Sequence, residues 1–195
     1  MLFLPLLLFS CKQKGEQRDL QKVTDTTAAK RAPLLIPGKQ MGDFLIDKNA
    51  RTFLDTFAKP DFSDAAMGKV LLKWKSVYGD SLFMFNTQKM GVENFKRIKI
   101  IRSFSSKLRT KQNLGVGSTL SDLDKEYRLT KRGTIKEGEA VYALFLDEEG
   151  IAFEVDTNQT CRAVLIFSKE DRSINPYIPF YAHFEQAALP TPNSH

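Results

Sequence analysis

Cysteine and histidine are scarce in this chain: two of each in 195 residues. Cys11 and Cys161 lie 150 residues apart, and His183 and His195 fall near a polar terminus. No zinc spacing can be built from them. Serine–histidine–aspartate chemistry needs a histidine base, and only His183 is near the folded body. No apolar run reaches the roughly 18 residues that span a bilayer as a helix. The EF-hand spacing is missing at the acidic group Asp147, Glu148 and Glu149, which reads as a hairpin turn. Asp122, Asp124 and Glu126 read as a solvated helix start. No cofactor motif is present, and no pair of carboxylates is singled out for glycoside hydrolysis.

What is there begins with MLFLPLLLFSC, residues 1–11. A short apolar run closing on a small residue is a targeting signal. Leu8-Phe9-Ser10-Cys11 resembles a bacterial lipobox, which implies acylation of Cys11. Phe9 is bulkier than the pattern prefers, and no Lys or Arg precedes the run. If Cys11 is not acylated, a Cys11–Cys161 disulfide is the alternative. Residues 12–32 are polar and charged, the composition of a tether. Acyl chains would hold the body at a membrane surface. Lys12 is not the aspartate of inner-membrane retention, so an outer-membrane lipoprotein, periplasmic or surface-facing, is expected.

The body divides by pattern into residues 33–111 and 112–182, followed by a tail, 183–195. In the first part Phe53, Leu54 and Phe57 make a helical apolar face, which Asp47 can cap and Pro60 ends. Strands follow over 69–78, 81–86 and 95–101. In the second part a helix is expected from about Leu120 to Tyr127, then strands over 139–147, 151–156 and 161–167. The fold class this predicts is α+β: two tandem units, each a helical segment followed by a three- or four-stranded antiparallel sheet. A short helix is expected around His183.

Residues Gly115-Val116-Gly117-Ser118-Thr119, then Tyr142 and the hairpin Gly150-Ile151-Ala152-Phe153, then an apolar last strand, resemble a repeat unit of the β-lactamase-inhibitor-protein-like superfamily. The same run, with Arg102-Ser103 and Arg109-Thr110, is similar to Bacteroidetes-type lipoproteins. The resemblance covers about residues 98–168. It implies tandem helix-plus-sheet units whose sheet faces bind other proteins, and an inhibitor-like role as its sharpest form.

The glycines of NLGVGSTLSDLDKEY, residues 113–127, raise the question of a phosphate loop. No Gly-Lys precedes Ser118, and position 120 is leucine where a dinucleotide fingerprint needs its third glycine. Thr119 as N-cap, with Asp122 returning the capping bond, accounts for the stretch. Gly115 and Gly117 would then supply a turn with positive φ.

Charge is uneven. Residues 33–111 carry 15 basic and 7 acidic groups, and residues 112–195 carry 8 and 13. Strand parity assigns Lys73, Lys75, Arg97 and Lys99 to one outer sheet face, which could steer an acidic partner or only solvate the sheet. Nucleic acid is not expected, since no aromatic interleaving forms a stacking platform. Strand 139–147 is apolar on both sides, so Tyr142 and Leu144 belong either to a covered central strand or to an exposed binding patch. The expected function is non-enzymatic binding of a protein or envelope component. The alternatives are a structural or assembly lipoprotein and a hydrolase with a scattered site.

Overall fold

The structure, a computed structural model, describes residues 34–169, 180 and 183–187. Cys11 and the tether lie outside the described residues. Three short strands come first: β1 (Leu35–Ile36), β2 (Gln40–Met41) and β3 (Phe44–Leu45), paired in that order. Helix α1 (Ala50–Leu54) follows, then β4 (Phe62–Ala66), β5 (Lys69–Val77), β6 (Asp80–Thr87) and β7 (Arg97–Ser103). Helix α2 (Leu120–Glu126) leads into β8 (Thr130–Glu137), β9 (Ala140–Asp147), β10 (Ile151–Val155), β11 (Cys161–Phe167) and the short β12 (Phe184–Gln186).

The expected pair of tandem helix-plus-sheet units is not what forms. Among the described residues 50% are strand and 8% helix. Strands β4 to β12 make one nine-stranded antiparallel sheet in the order β12-β8-β9-β10-β11-β7-β6-β5-β4. The pairing of β7 with β11 runs that sheet across residues 111 and 112, where sequence pattern drew a boundary. The physical reason lies in the basic stretch read as a surface. Ile98, Ile100, Ile101, Arg102 and Ser103 are all buried, so β7 is a central strand paired on both edges.

The sheet buries residues on both faces. On one, Leu72, Trp74, Met84, Ile98, Ile101, Phe153 and Ile166 pack with Phe44, Leu35, Leu123 and the half-buried Phe53 and Phe57. Trp74 anchors this side: its ring lies 5.9 Å from that of Phe57, and its indole N–H donates to the Ala58 carbonyl at 2.6 Å. On the other face Phe85, Ile100, Ile135, Leu144, Leu146, Ala152 and Leu165 form a second core, covered in part by Phe180 and Phe184. The segment after His183 is therefore a strand, not the expected helix; it pairs Phe184 with Ile135.

Local capping explains both helices. Asn49, not Asp47, caps α1, its side chain accepting from the Arg51 N–H at 3.0 Å. Thr119 caps α2 by accepting from the Asp122 N–H at 3.2 Å, and its hydroxyl donates to the Asp122 carboxylate at 2.8 Å. Lys125, and next Thr119, hold that carboxyl below its ordinary range. The glycines ahead of α2 have two different jobs. Gly117 has φ +91°, where a side chain would be strained. Gly115 does not have positive φ; a Cβ there would stand 2.6 Å from the Leu108 carbonyl oxygen. The stretch is a helix entry.

Candidate binding cleft

Register places one row of side chains across the sheet. Phe62 on β4 is opposite Lys73 on β5, Lys73 opposite Phe83 on β6, and Phe83 opposite Arg102 on β7. Arg102 is opposite Leu165 on β11. Residues directly opposite share a face, so the row is aromatic, cation, aromatic, cation, then apolar. It lies on the face away from Trp74.

Arg102 is the centre of the row. Its side chain is 3% exposed and that of Glu154 1%. Its Nε and Nη2 donate to the two Glu154 oxygens at 2.6 and 2.7 Å, a fork-to-fork pair. Glu137 accepts a further bond from Nη2 at 3.2 Å. The guanidinium carbon is 4.4 Å from the Phe104 ring centroid and 5.4 Å from that of Phe83. The aromatic faces add cation–π attraction in a desolvated place. Lys73 sets its ammonium 4.9 Å from the Phe83 centroid. Phe180 meets Phe83 edge-on with ring centroids 6.2 Å apart.

Above this floor is an open cleft of about 400 Å³, lined by Lys73, Ser81, Phe83, Phe104, Glu137 and Phe180 among others. That volume suits a few side chains of a partner or a small molecule. The lining mixes the three rings with Lys73, Asp80, Ser81 and Glu137, and at the base Arg102 is paired with Glu154. Arg102 and Glu154 compensate each other's charge as a hydrogen-bonded pair. Among the described residues no group of three His, Cys, Asp or Glu side chains could hold a metal ion.

The other residues singled out by sequence are dispersed. Lys75 is exposed and falls where the β5–β6 register shifts, between Trp74 and Val77; its N–H donates to the Asp61 carboxylate at 2.7 Å. Arg97 and Lys99 do not join Lys73. A bulge in β7 opposite Phe85 and Asn86 breaks the alternation that parity assumed. Lys99 bonds Asp47 at 2.5 Å with its side chain only 12% exposed. Arg97 donates to the Asp47 carbonyl at 2.9 Å and to Glu93 at 2.5 Å. Asp47, at φ +61°, gathers both cations and also accepts from the Ser168 hydroxyl. Their charges fasten a loop to the sheet.

Leu144 is fully buried in the second core, and Tyr142 is half-buried against it. Strand β9 is thus largely covered, with Val141 at 40% exposure its most open apolar residue. Tyr142 lines a separate open recess of about 350 Å³ with Glu139, Asp156 and Arg162. Cys161 is a free, buried thiol whose burial pushes its pKa well up, so it packs as a small hydrophobe. Sequence reasoning missed Phe83, Phe104 and Glu154. The signal that was available is Arg102 and Glu154 as charges within apolar strands, each a candidate partner for the other.

No family model matches the chain, and no curated protein matches it. Among solved structures it is similar to an extracellular protein containing an SCP domain from Bacillus anthracis str. Ames, with TM-score 0.45 and 12% identity. The match spans 81% of this chain and 56% of that one, so the chain covers little more than half of its neighbour's length. Similarity at that level assigns neither fold nor function.

Proposed function

We propose that this chain is a binding protein of the bacterial envelope, held at a membrane by acyl chains on Cys11, and that it engages another protein through the open face of its sheet. The observation that carries this reading is the cleft over Phe83, Arg102 and Phe104. Phe83 and Phe104 are partly exposed there, and aromatic side chains are enriched at interfaces, while the buried Arg102 supports the rings from within. The rings present apolar area at little entropic cost. Lys73 and Glu137 at the rim would fix the partner's register by charge.

The test is capture from an envelope extract with the full-length chain. Lys73→Glu alters the rim of the cleft away from the Arg102–Glu154 pair, and Phe83→Ser removes one of the two rings over Arg102, so its fold is checked by circular dichroism before capture. A discrete partner retained by the wild type and lost by both variants is the expected result. Equal retention by all three chains would contradict a role for the cleft.

A further inference from the structure

The row through the cleft ends on β4, and β4 is the outermost strand at that end of the sheet among the described residues. All five of its residues, Phe62 to Ala66, are exposed. Natural edge strands are usually blunted by proline, lysine or a bulge. β4 has no proline, lysine or bulge: its sequence is FSDAA, its pairing with β5 is regular, and Asp64 is its one charge. Phe62, at the far end of the strand, is 52% exposed, and beside the strand the hairpin tip is apolar and open: Met67 is 92% exposed, Met90 69% and Val92 81%. Met90 stands at this tip, since a Cβ on Gly68 would lie 3.1 Å from its sulfur.

We infer that β4 is a docking edge, to which an extended acidic segment of another protein adds as a tenth strand. This rests on the binding reading above and names the partner's chemistry and mode of attachment. Main-chain bonds from an unpaired edge supply affinity, and side chains of alternate residues supply selectivity. The charge around the edge sets the sign. Asp64 is the only charged residue in β4 and Asp61 precedes it, accepting from the Lys75 N–H. On β5 Lys73 is turned over the Phe83 ring, which leaves the exposed Lys69 as the cation at the hairpin end of the edge. Lys69 is exposed and lies opposite Ala66, whose methyl leaves room for the lysine to reach across to an added strand about 5 Å beyond. A carboxylate on the partner opposite Ala66 meets that ammonium. A second copy of this chain fits less well. Antiparallel self-pairing about Asp64 sets two aspartates opposite each other, which is destabilising.

The experiment uses the full-length chain and two designed nine-residue peptides, one alternating valine with glutamate and the other valine with lysine. Affinity is read by fluorescence anisotropy, and amide hydrogen exchange by NMR. The glutamate peptide is expected to bind at least tenfold more tightly than the lysine peptide, and to slow exchange within Phe62–Ala66 at least tenfold. Lys69→Glu, an exposed change that leaves the strands intact, is expected to weaken it at least threefold. Protection confined to Phe83 and Phe104 overturns strand addition and leaves the cleft reading standing. So does binding of neither peptide when cleft variants still lose the captured partner. Equal binding of both peptides overturns the charge assignment. A dimer that loosens on Lys69→Glu overturns it in favour of a second copy.

Discussion

Arg102 and Glu154 are both buried on central strands of the sheet, a place where one charge alone is costly. Their fork-to-fork geometry and the rings of Phe83 and Phe104 offset much of the desolvation. Removing one partner leaves the other buried. Glu154→Ala is therefore expected to lower stability by about 3 kcal/mol in urea denaturation, with Glu137 holding part of the stranded guanidinium. The joint replacement Arg102→Met with Glu154→Leu is expected to cost less than Glu154→Ala, since nothing charged remains unpaired. A double variant less stable than the single would show that the pair itself, and not its desolvation, dominates. Arg102 was legible in the sequence as one of seven basic groups in residues 96–111. Its burial was not, because a run of like charges reads as a solvated face until a strand 52 residues away supplies the counter-charge.

Elements whose causes are local were legible. The pattern placed β5, β6, β9, β10 and β11 within a residue or so of their observed bounds, because alternation and turn residues fix a strand without reference to its partner. The entry to α2 was legible for the same reason: Thr119 and Asp122 are three residues apart. Replacing Thr119 by Ala is expected to cost about 1 kcal/mol, checked by urea denaturation. A change below a few tenths would mean that packing of Leu123 alone holds α2. Where alternation fails, the reading failed with it. The bulge in β7 falls at Lys99 and turns it toward Asp47, to which Arg97 also donates from the strand's start, and that aspartate was taken for a helix cap. β4 and β8 were missed altogether. FSDAA is small and polar because it lies at an edge, and TKRGTIKE carries Gly133 beside a bulge, so neither shows a strand's usual apolar signature.

At the scale of residues 34–187, the error was to divide what the β7–β11 pairing joins. Two similar orders of elements suggested two sheets; long-range strand pairing is not written in any local window. The continuous sheet matters for function because it sets Phe62, Lys73, Phe83 and Arg102 in one row, drawn from four strands and spread over about 40 positions of sequence. No local motif could have shown that row. The measurement that tests it most directly is site-specific photo-crosslinking in the living cell envelope. A photoreactive phenylalanine replaces Phe62 or Phe83 in turn, with Thr56 in the exposed turn after α1 as the control. A single discrete adduct from both Phe62 and Phe83, absent from Thr56, is the predicted result. An adduct from Thr56 alone, or none from either phenylalanine, would contradict a binding role for this face of the sheet.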